Sequence, residues 1–131
     1  MVPGRPYKLL VVDDERELVE SLSLRLSALG YEVISAYDGQ EALLKAQNES
    51  PDLIILDLML PKMDGYHVAR LLKFDEEHKQ IPIIMLTARG QAQDRQLGFN
   101  CGADAYVLKP FDGKALTAEI ERLLAAKGER A

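Results

Sequence analysis

The sequence predicts an α/β fold, in which a doubly wound, five-stranded parallel sheet is flanked by five helices. Two observations carry this prediction. Five short apolar segments alternate with five segments of helical patterning, an order typical of parallel sheets covered by helices on both faces. One segment, Leu53–Leu56, is an unbroken run of four apolar residues, which indicates a strand buried on both faces at the centre of the sheet.

The strands are predicted from the apolar, β-prone segments, at 7–12, 32–36, 53–56, 83–86 and 105–108. The helices are predicted from apolar residues at helical spacing. Their inner faces are assigned to Leu18, Leu22, Leu26 and Leu29 in the first helix, Ala42, Leu43 and Ala46 in the second, Val68, Leu71 and Leu72 in the third, and Leu116, Ile120, Leu123 and Leu124 in the last. The fourth helix, around 91–100, is mostly polar and is the weakest element of the pattern.

Capping residues set the predicted ends of these helices. Asp14 with Glu17, and Asp38 with Glu41, have the spacing of capping boxes. Gly30 stands where a glycine commonly ends a helix, directly after the first one. Single N-terminal caps are expected from Asp64 for the third helix and Asp112 for the last.

Length and composition bound the class of protein. The 131 residues are enough for one folded domain, which we place at 7–126, between an N-terminal extension at 1–6 and a polar tail or linker start at 127–131. The net charge of −5 argues against a nucleic-acid surface on this domain. No apolar run is long enough to span a bilayer and no signal peptide opens the chain. A lone cysteine, Cys101, excludes an internal disulfide and fits a reducing, cytoplasmic location.

Polar residues follow the carboxyl ends of four predicted strands. Asp13 and Asp14 follow the first strand, Asp57 the third, Thr87 the fourth and Lys109 the fifth. In open α/β sheets, ligands bind at this edge. If the first and third strands are neighbours, three carboxylates meet in one crevice.

Such a cluster predicts a magnesium site with phosphate chemistry. Converging carboxylates repel one another, and Mg²⁺ favours oxygen ligands and binds phosphate oxygens. Lys109 supplies a fixed positive charge and Thr87 a hydroxyl donor, which together can hold the oxygens of a transferring phosphoryl group. Asp57 is then the nucleophile, and its product is an acyl phosphate.

Five motifs carry a resemblance to a known family, and together they are specific. They are VVDDE (11–15), PDLIILDLMLPKMDG (51–65), IIMLTA (83–88), GADAY (102–106) and LKPF (108–111). The sequence resembles a response-regulator receiver domain of two-component signalling, similar to the chemotaxis regulator, over about residues 8–124. The resemblance implies a flavodoxin-like sheet of strand order 2-1-3-4-5 and a cis bond between Lys109 and Pro110.

The resemblance also implies a role for each residue of the site. Asp57 accepts a phosphoryl group from phosphohistidine. Asp14, Asp57 and the backbone carbonyl of Met59 ligate Mg²⁺, and Asp13 acts through water. Thr87 moves toward the phosphoryl group and Tyr106 swings inward, which remodels the face formed by the predicted fourth helix, the fifth strand and the last helix.

Partners and catalytic class follow from the same resemblance. We expect a sensor histidine kinase or phosphotransfer protein as donor and an output partner or domain of unknown identity, without membrane contact. The domain is a phosphoacceptor and not an enzyme, since it promotes only its own phosphorylation and dephosphorylation. A phosphorylation-dependent homodimer through the remodelled face fits the family. However, Ala105 stands where many DNA-binding relatives carry an aspartate of that dimer face, so an identical dimer is not assumed.

Other interpretations stay open at this point. Taken singly, Asp13, Thr87, Lys109 and Tyr106 fit ordinary strand-end, surface or core roles, and both His67 and His78 are expected at the surface. A metal-dependent phosphohydrolase with an aspartyl nucleophile would usually carry a second aspartate at the position of Met59. A flavodoxin-like cofactor binder would offer backbone N–H groups of Gly, Ser or Thr after the first strand, where this chain places acids.

Overall fold

The computed structural model describes residues 6–88 and 102–130 of the chain. Within these residues it contains five strands and four helices. In chain order they are β1 (Lys8–Val12), α1 (Arg16–Ala28), β2 (Glu32–Ala36), α2 (Gly39–Glu49), β3 (Leu53–Asp57), α3 (Gly65–Lys73), β4 (Ile83–Ala88), β5 (Ala105–Lys109) and α4 (Gly113–Arg130). The helix predicted around 91–100 lies outside the described residues.

The five strands form one parallel sheet in the order β2-β1-β3-β4-β5. This order confirms the one that the resemblance implied. β3 lies at the centre, between β1 and β4, and all five of its residues are buried. The run Leu53–Leu56 is apolar throughout because helices cover both faces of this strand.

Alternate residues of the strands build two apolar layers, one on each face of the sheet. One layer packs α2 and α3 against strand residues such as Leu10, Ile54 and Met85. The other packs α1 and α4 against Leu9, Ile55 and their neighbours on the opposite face. The predicted inner face of the last helix is confirmed, since Leu116, Ile120, Leu123 and Leu124 are all buried. No helix of residues 6–88 and 102–130 is both long and apolar enough to cross a membrane.

Most of the predicted helix ends are confirmed. Gly30 has a φ of +99°, its N–H donates to Ser27, and the N–H of Tyr31 donates to the carbonyl of Leu26, which together form a Schellman motif. Asp64 accepts from the N–H of His67 at 2.9 Å. The carboxylate of Asp112 similarly accepts from the N–H of Lys114 at the start of α4, at 3.0 Å.

The second helix has its predicted cap with one change of partner. Asp38 accepts from the N–H of Glu41 at 2.8 Å, as a capping box requires. The carboxylate of Glu41 reaches back to the N–H of Tyr37 at 2.8 Å. It thus satisfies the donor one residue before the cap.

The predicted cap of the first helix is wrong. Helix α1 begins at Arg16 with Glu15 in the N-cap position, and no side chain caps it. The N–H of Glu15 bonds instead to the carboxylate of Asp13 at 3.0 Å. Asp14 is not at the cap because its carboxylate joins the acidic cluster at the end of β1.

Three further burial predictions are wrong. The buried positions of α3 are Gly65, Val68, Ala69 and Leu72, a stripe that leaves Leu71 at its side with 48% exposure. Leu29 is exposed because α1 ends before it. His78 is buried rather than at the surface, because its ring pairs with the carboxylate of Asp75 at 2.5 Å in the turn after α3.

Candidate functional site

The sheet brings the predicted site residues to one edge. Asp13 directly follows β1, whereas Asp57 and Lys109 are the last residues of β3 and β5. β1 and β3 are neighbours in register, so the condition for the carboxylates to meet is fulfilled. Thr87 lies fully buried near the end of β4, paired with Leu108 of β5.

Three carboxylates converge at this edge. Asp13, Asp14 and Asp57 each place one carboxylate oxygen within 4.8 Å of the others. Asp13 and Asp57 are buried, with 0% and 5% exposure, whereas Asp14 is exposed. The cluster therefore has a closed side in the protein and an open side toward solvent.

Lys109 is the cation facing the cluster. Its Nζ lies 2.7 Å from Oδ2 of Asp13 and 3.4 Å from Oδ2 of Asp57. Burial lowers the pKa of Lys109, but the hydrogen bond to Asp13 and the nearby carboxylate charges outweigh this effect, so that the pKa is raised. Lys109 therefore stays charged at the site.

Glu15 is a member of this arrangement that the sequence analysis missed. Its Oε1 lies 3.4 Å from Nζ of Lys109, and its side chain is 66% exposed. The third acidic letter of the VVDDE motif was the available signal, because it follows Asp13 and Asp14 in the same turn.

The charge of Asp57 is unfavourable in this setting. Burial and the nearby charge of Asp13 raise the pKa of Asp57 from 3.8 to about 6. Lys109 and the N–H of Met59, which donates to Oδ1 of Asp57 at 3.3 Å, act in the opposite direction. The carboxylate is thus held deprotonated at neutral pH against an electrostatic cost, a property common among functional carboxylates.

The residues present fit a divalent cation. Among the described residues, the carboxylates of Asp13, Asp14 and Asp57 outnumber the one lysine that faces them, so these four side chains carry an excess of negative charge. All three acids offer hard oxygen ligands, and the exposed position of Asp14 leaves room for the waters that Mg²⁺ retains. The backbone carbonyl of Met59 stays a predicted ligand.

Tyr106 lies near the start of β5, the strand that ends at Lys109. It is half-buried in β5, beside Met85 of β4, and packs against the apolar layer that α2 and α3 cover. The peptide bond between Lys109 and Pro110 is cis, as the resemblance implied. The inward movement of Tyr106 and the displacement of Thr87 stay predictions.

Comparison with known proteins identifies the family. A family model described as the response regulator receiver domain matches residues 9–121. The chain belongs to this family. Receiver domains generally bind Mg²⁺ at an acidic pocket, and Asp13, Asp14 and Asp57 form an acidic cluster in this chain. Membership in a two-component system also implies a histidine kinase partner.

Three relatives illustrate the match. A probable transcriptional regulator ycf27 of Cyanophora paradoxa is 52% identical over 117 residues, which cover 89% of this chain and 48% of the relative. The alkaline phosphatase synthesis transcriptional regulatory protein PhoP of Bacillus subtilis is 47% identical with the same coverage. A solved receiver domain protein of Methanospirillum hungatei has a TM-score of 0.91 at 28% identity, and the match covers 97% of this chain and 100% of that one.

The chain spans about half the length of the curated relatives it matches. Those relatives are named as transcriptional regulators. The match to this chain therefore concerns their receiver domain, and what the rest of such a protein does is a matter for proposal.

Proposed function

We propose that this receiver domain accepts a phosphoryl group on Asp57, with Mg²⁺, from phosphohistidine of a sensor kinase or phosphotransfer protein. The observation that carries the proposal is the cluster itself, in which a buried carboxylate at a strand end faces two further acids and a lysine. Mg²⁺ bound by Asp13, Asp14, Asp57 and the Met59 carbonyl would neutralise charge on the incoming phosphoryl oxygens.

The chain's own residues account for the transfer. A carboxylate oxygen of Asp57 attacks phosphorus, the P–N bond to the donor imidazole breaks, and that nitrogen takes up a proton. Lys109, already placed 3.4 Å from Asp57, pairs with the phosphoryl oxygens, and Thr87 donates its hydroxyl to one of them. Charge neutralisation and positioning are the main requirements of this chemistry.

The output would follow from rearrangement near Thr87 and Tyr106. Movement of Thr87 toward the phosphoryl group opens space into which Tyr106 turns, and this changes the face formed by the predicted fourth helix, β5 and α4. That face would then control an output partner or domain, and a phosphorylation-dependent homodimer is one form of such control. Ala105 at the start of β5 cannot supply the carboxylate expected in many DNA-binding relatives, so the ion pairs of any dimer differ.

Intact mass spectrometry after acetyl phosphate treatment tests the proposal. The wild-type domain should gain one PO₃H unit with Mg²⁺ and none after chelation, and Asp57→Asn should gain none. Asp52→Asn is the matched control, since Asp52 precedes the same strand at its other end, and it should be modified like the wild type. Equal modification of Asp57→Asn would overturn the assignment.

A further inference from the structure

Gly39, the first residue of α2, lies in closer backbone contact with the loop after β3 than any other residue type allows. It is buried. A Cβ atom at this position would lie 1.7 Å from the carbonyl oxygen of Met63 and 2.5 Å from its carbonyl carbon. Because both of these are backbone atoms, no rotation of a side chain can make room. Any residue larger than glycine must displace the loop or the helix.

Two further contacts tie the same loop to the start of α2. The N–H of Gly39, which has no partner within its own helix, donates to the carbonyl of Pro61 at 3.3 Å. Nζ of Lys62 lies 3.5 Å from the carboxylate of Asp38. Lys62 also has a φ of +68°, a left-handed conformation that is uncommon for lysine. Three successive loop residues are thus held against the residues Asp38 and Gly39.

The other side of this loop is fixed to the acidic cluster. The loop begins directly after Asp57, and the N–H of Met59 donates to that carboxylate. At the far end, the N–H of Gly65 donates to the carbonyl of Leu58 at 2.8 Å. A Cβ at Gly65 would lie 2.2 Å from the carbonyl oxygen of Asp57. Because these contacts leave the loop little freedom to adjust, a displacement of Met63 should also displace Met59 relative to Asp57.

We propose that Gly39 is a positioning residue for the site. It fixes the position of the loop that carries Met59, and thereby the geometry in which the cluster binds Mg²⁺. The inference rests on the proposed function, in which the Met59 carbonyl is a metal ligand. Gly39 touches no reacting atom; it acts through Met63 and Pro61. A sub-ångström misplacement of one ligand is enough to weaken a site with strict octahedral geometry.

Gly39→Ala tests this proposal because two effects of opposite sign compete. If the contact with Met63 were unimportant, alanine would stabilise α2, since it is a better helix former than glycine by about 1 kcal/mol. We expect instead a lower stability and a Mg²⁺ affinity weakened roughly tenfold, as for the loss of other residues that support metal ligands. Mg²⁺ affinity is measured by titration followed by NMR. The matched control is Gln40→Ala, an exposed position in the same helical turn, which should leave the affinity unchanged.

A second measurement on the wild-type protein keeps the proposal testable should Gly39→Ala fail to fold. Addition of Mg²⁺ should slow amide hydrogen exchange at Gly39 together with Met59, because the Gly39 N–H is bonded to the same loop. Protection of Met59 without any change at Gly39 would overturn the proposal. So would a folded Gly39→Ala variant with unchanged Mg²⁺ affinity.

The failure of this inference is distinct from failure of the proposed function. If the wild-type domain binds no Mg²⁺ and gains no phosphoryl group, the function assigned to Asp57 is wrong. If the wild type does both and Gly39→Ala equals Gln40→Ala in both, only the role of Gly39 is wrong.

Discussion

The central strand β3 has an aspartate at each end, and the two have very different surroundings. Asp52, directly before the strand, accepts from the N–H of Lys8 at 2.7 Å and lies 3.3 Å from Nζ of Lys127. Asp57, the last residue of the strand, is 3.4 Å from Nζ of Lys109, which it shares with Asp13. The side chain of Asp52 is 30% exposed and that of Asp57 is 7% exposed.

This difference supports the functional role proposed for Asp57 and a structural role for Asp52. Asp52 joins β1 and α4 to β3. Its charge is balanced by Lys127 of α4 and by the hydrogen bond from the N–H of Lys8. Asp57 is more deeply buried and has acidic neighbours, and among the described residues it shares the single cation Lys109 with Asp13. Within residues 6–88 and 102–130, this excess of negative charge supports the proposal that ligands bind at the carboxyl edge of the sheet.

Removal of the lysine at each end of β3 should give the largest difference in stability. Without divalent cations at pH 7, Lys109→Ala should lower the free energy of unfolding by about 2–4 kcal/mol, because it leaves buried carboxylates without their cation. Lys127→Ala should cost at most about 1 kcal/mol, since its pair with Asp52 is partly exposed. Urea unfolding of both variants checks this, and equal losses would contradict it.

Neutralising the two aspartates should change stability in opposite directions. In metal-free buffer at pH 7, Asp57→Asn should raise the free energy of unfolding by about 1–2 kcal/mol, since one pKa unit is worth about 1.4 kcal/mol and solvent reduces the full effect. Asp52→Asn should lower it by about 0.5–1 kcal/mol, because charge-assisted hydrogen bonds become neutral ones. Chemical denaturation measures both. A destabilised Asp57→Asn would show that the carboxylate is not under electrostatic strain.

The residue pattern together with the family resemblance predicted where Asp57 lies and that Asp13 and Lys109 face it. Apolar runs mark the strands, polar residues mark where they end, and parallel strands bring those ends together, so Asp13 and Lys109 could be placed beside Asp57 once strand order was known. Strand order itself came from the family resemblance, because periodicity within a strand says nothing about its neighbours.

Contacts that depend on side-chain reach could not be predicted. Glu15 and Lys109 are 94 positions apart; the acidic run that ends in Glu15 places it near the site, but not in contact with Lys109. His78 lies in a charged segment whose pattern indicates exposure, whereas its ring is buried and paired with Asp75. The close approach of Gly39 to Met63 depends on how a loop folds back, which no spacing rule describes.

The contribution of Asp57 to stability should depend on pH. The pKa of Asp57 is raised from 3.8 to about 6, so between these values the native state holds a proton that the unfolded chain has released. The metal-free wild type should therefore lose stability from this group as pH rises from about 4 to about 6, and the loss should level off above that.

Asp57→Asn isolates this effect from that of the other carboxylates. The difference in unfolding free energy between this variant and the wild type should be largest at pH 7 and shrink toward zero near pH 4. Thermal unfolding followed by circular dichroism across this range provides the measurement. A difference that stays constant with pH would mean that Asp57 has an ordinary pKa.

Magnesium should stabilise the protein through the carboxyl end of β3 only. At a free Mg²⁺ concentration ten times its Kd, the wild type should gain about 1.4 kcal/mol of stability by mass action. Asp52→Asn should gain as much, because Asp52 lies at the opposite end of the strand from the cluster. Asp14→Asn should gain much less at the same concentration, since it removes an exposed ligand without disturbing the buried pair of Asp13 and Lys109. Thermal shift titrations compare the three proteins, and an equal gain in Asp14→Asn would exclude Asp14 as a ligand.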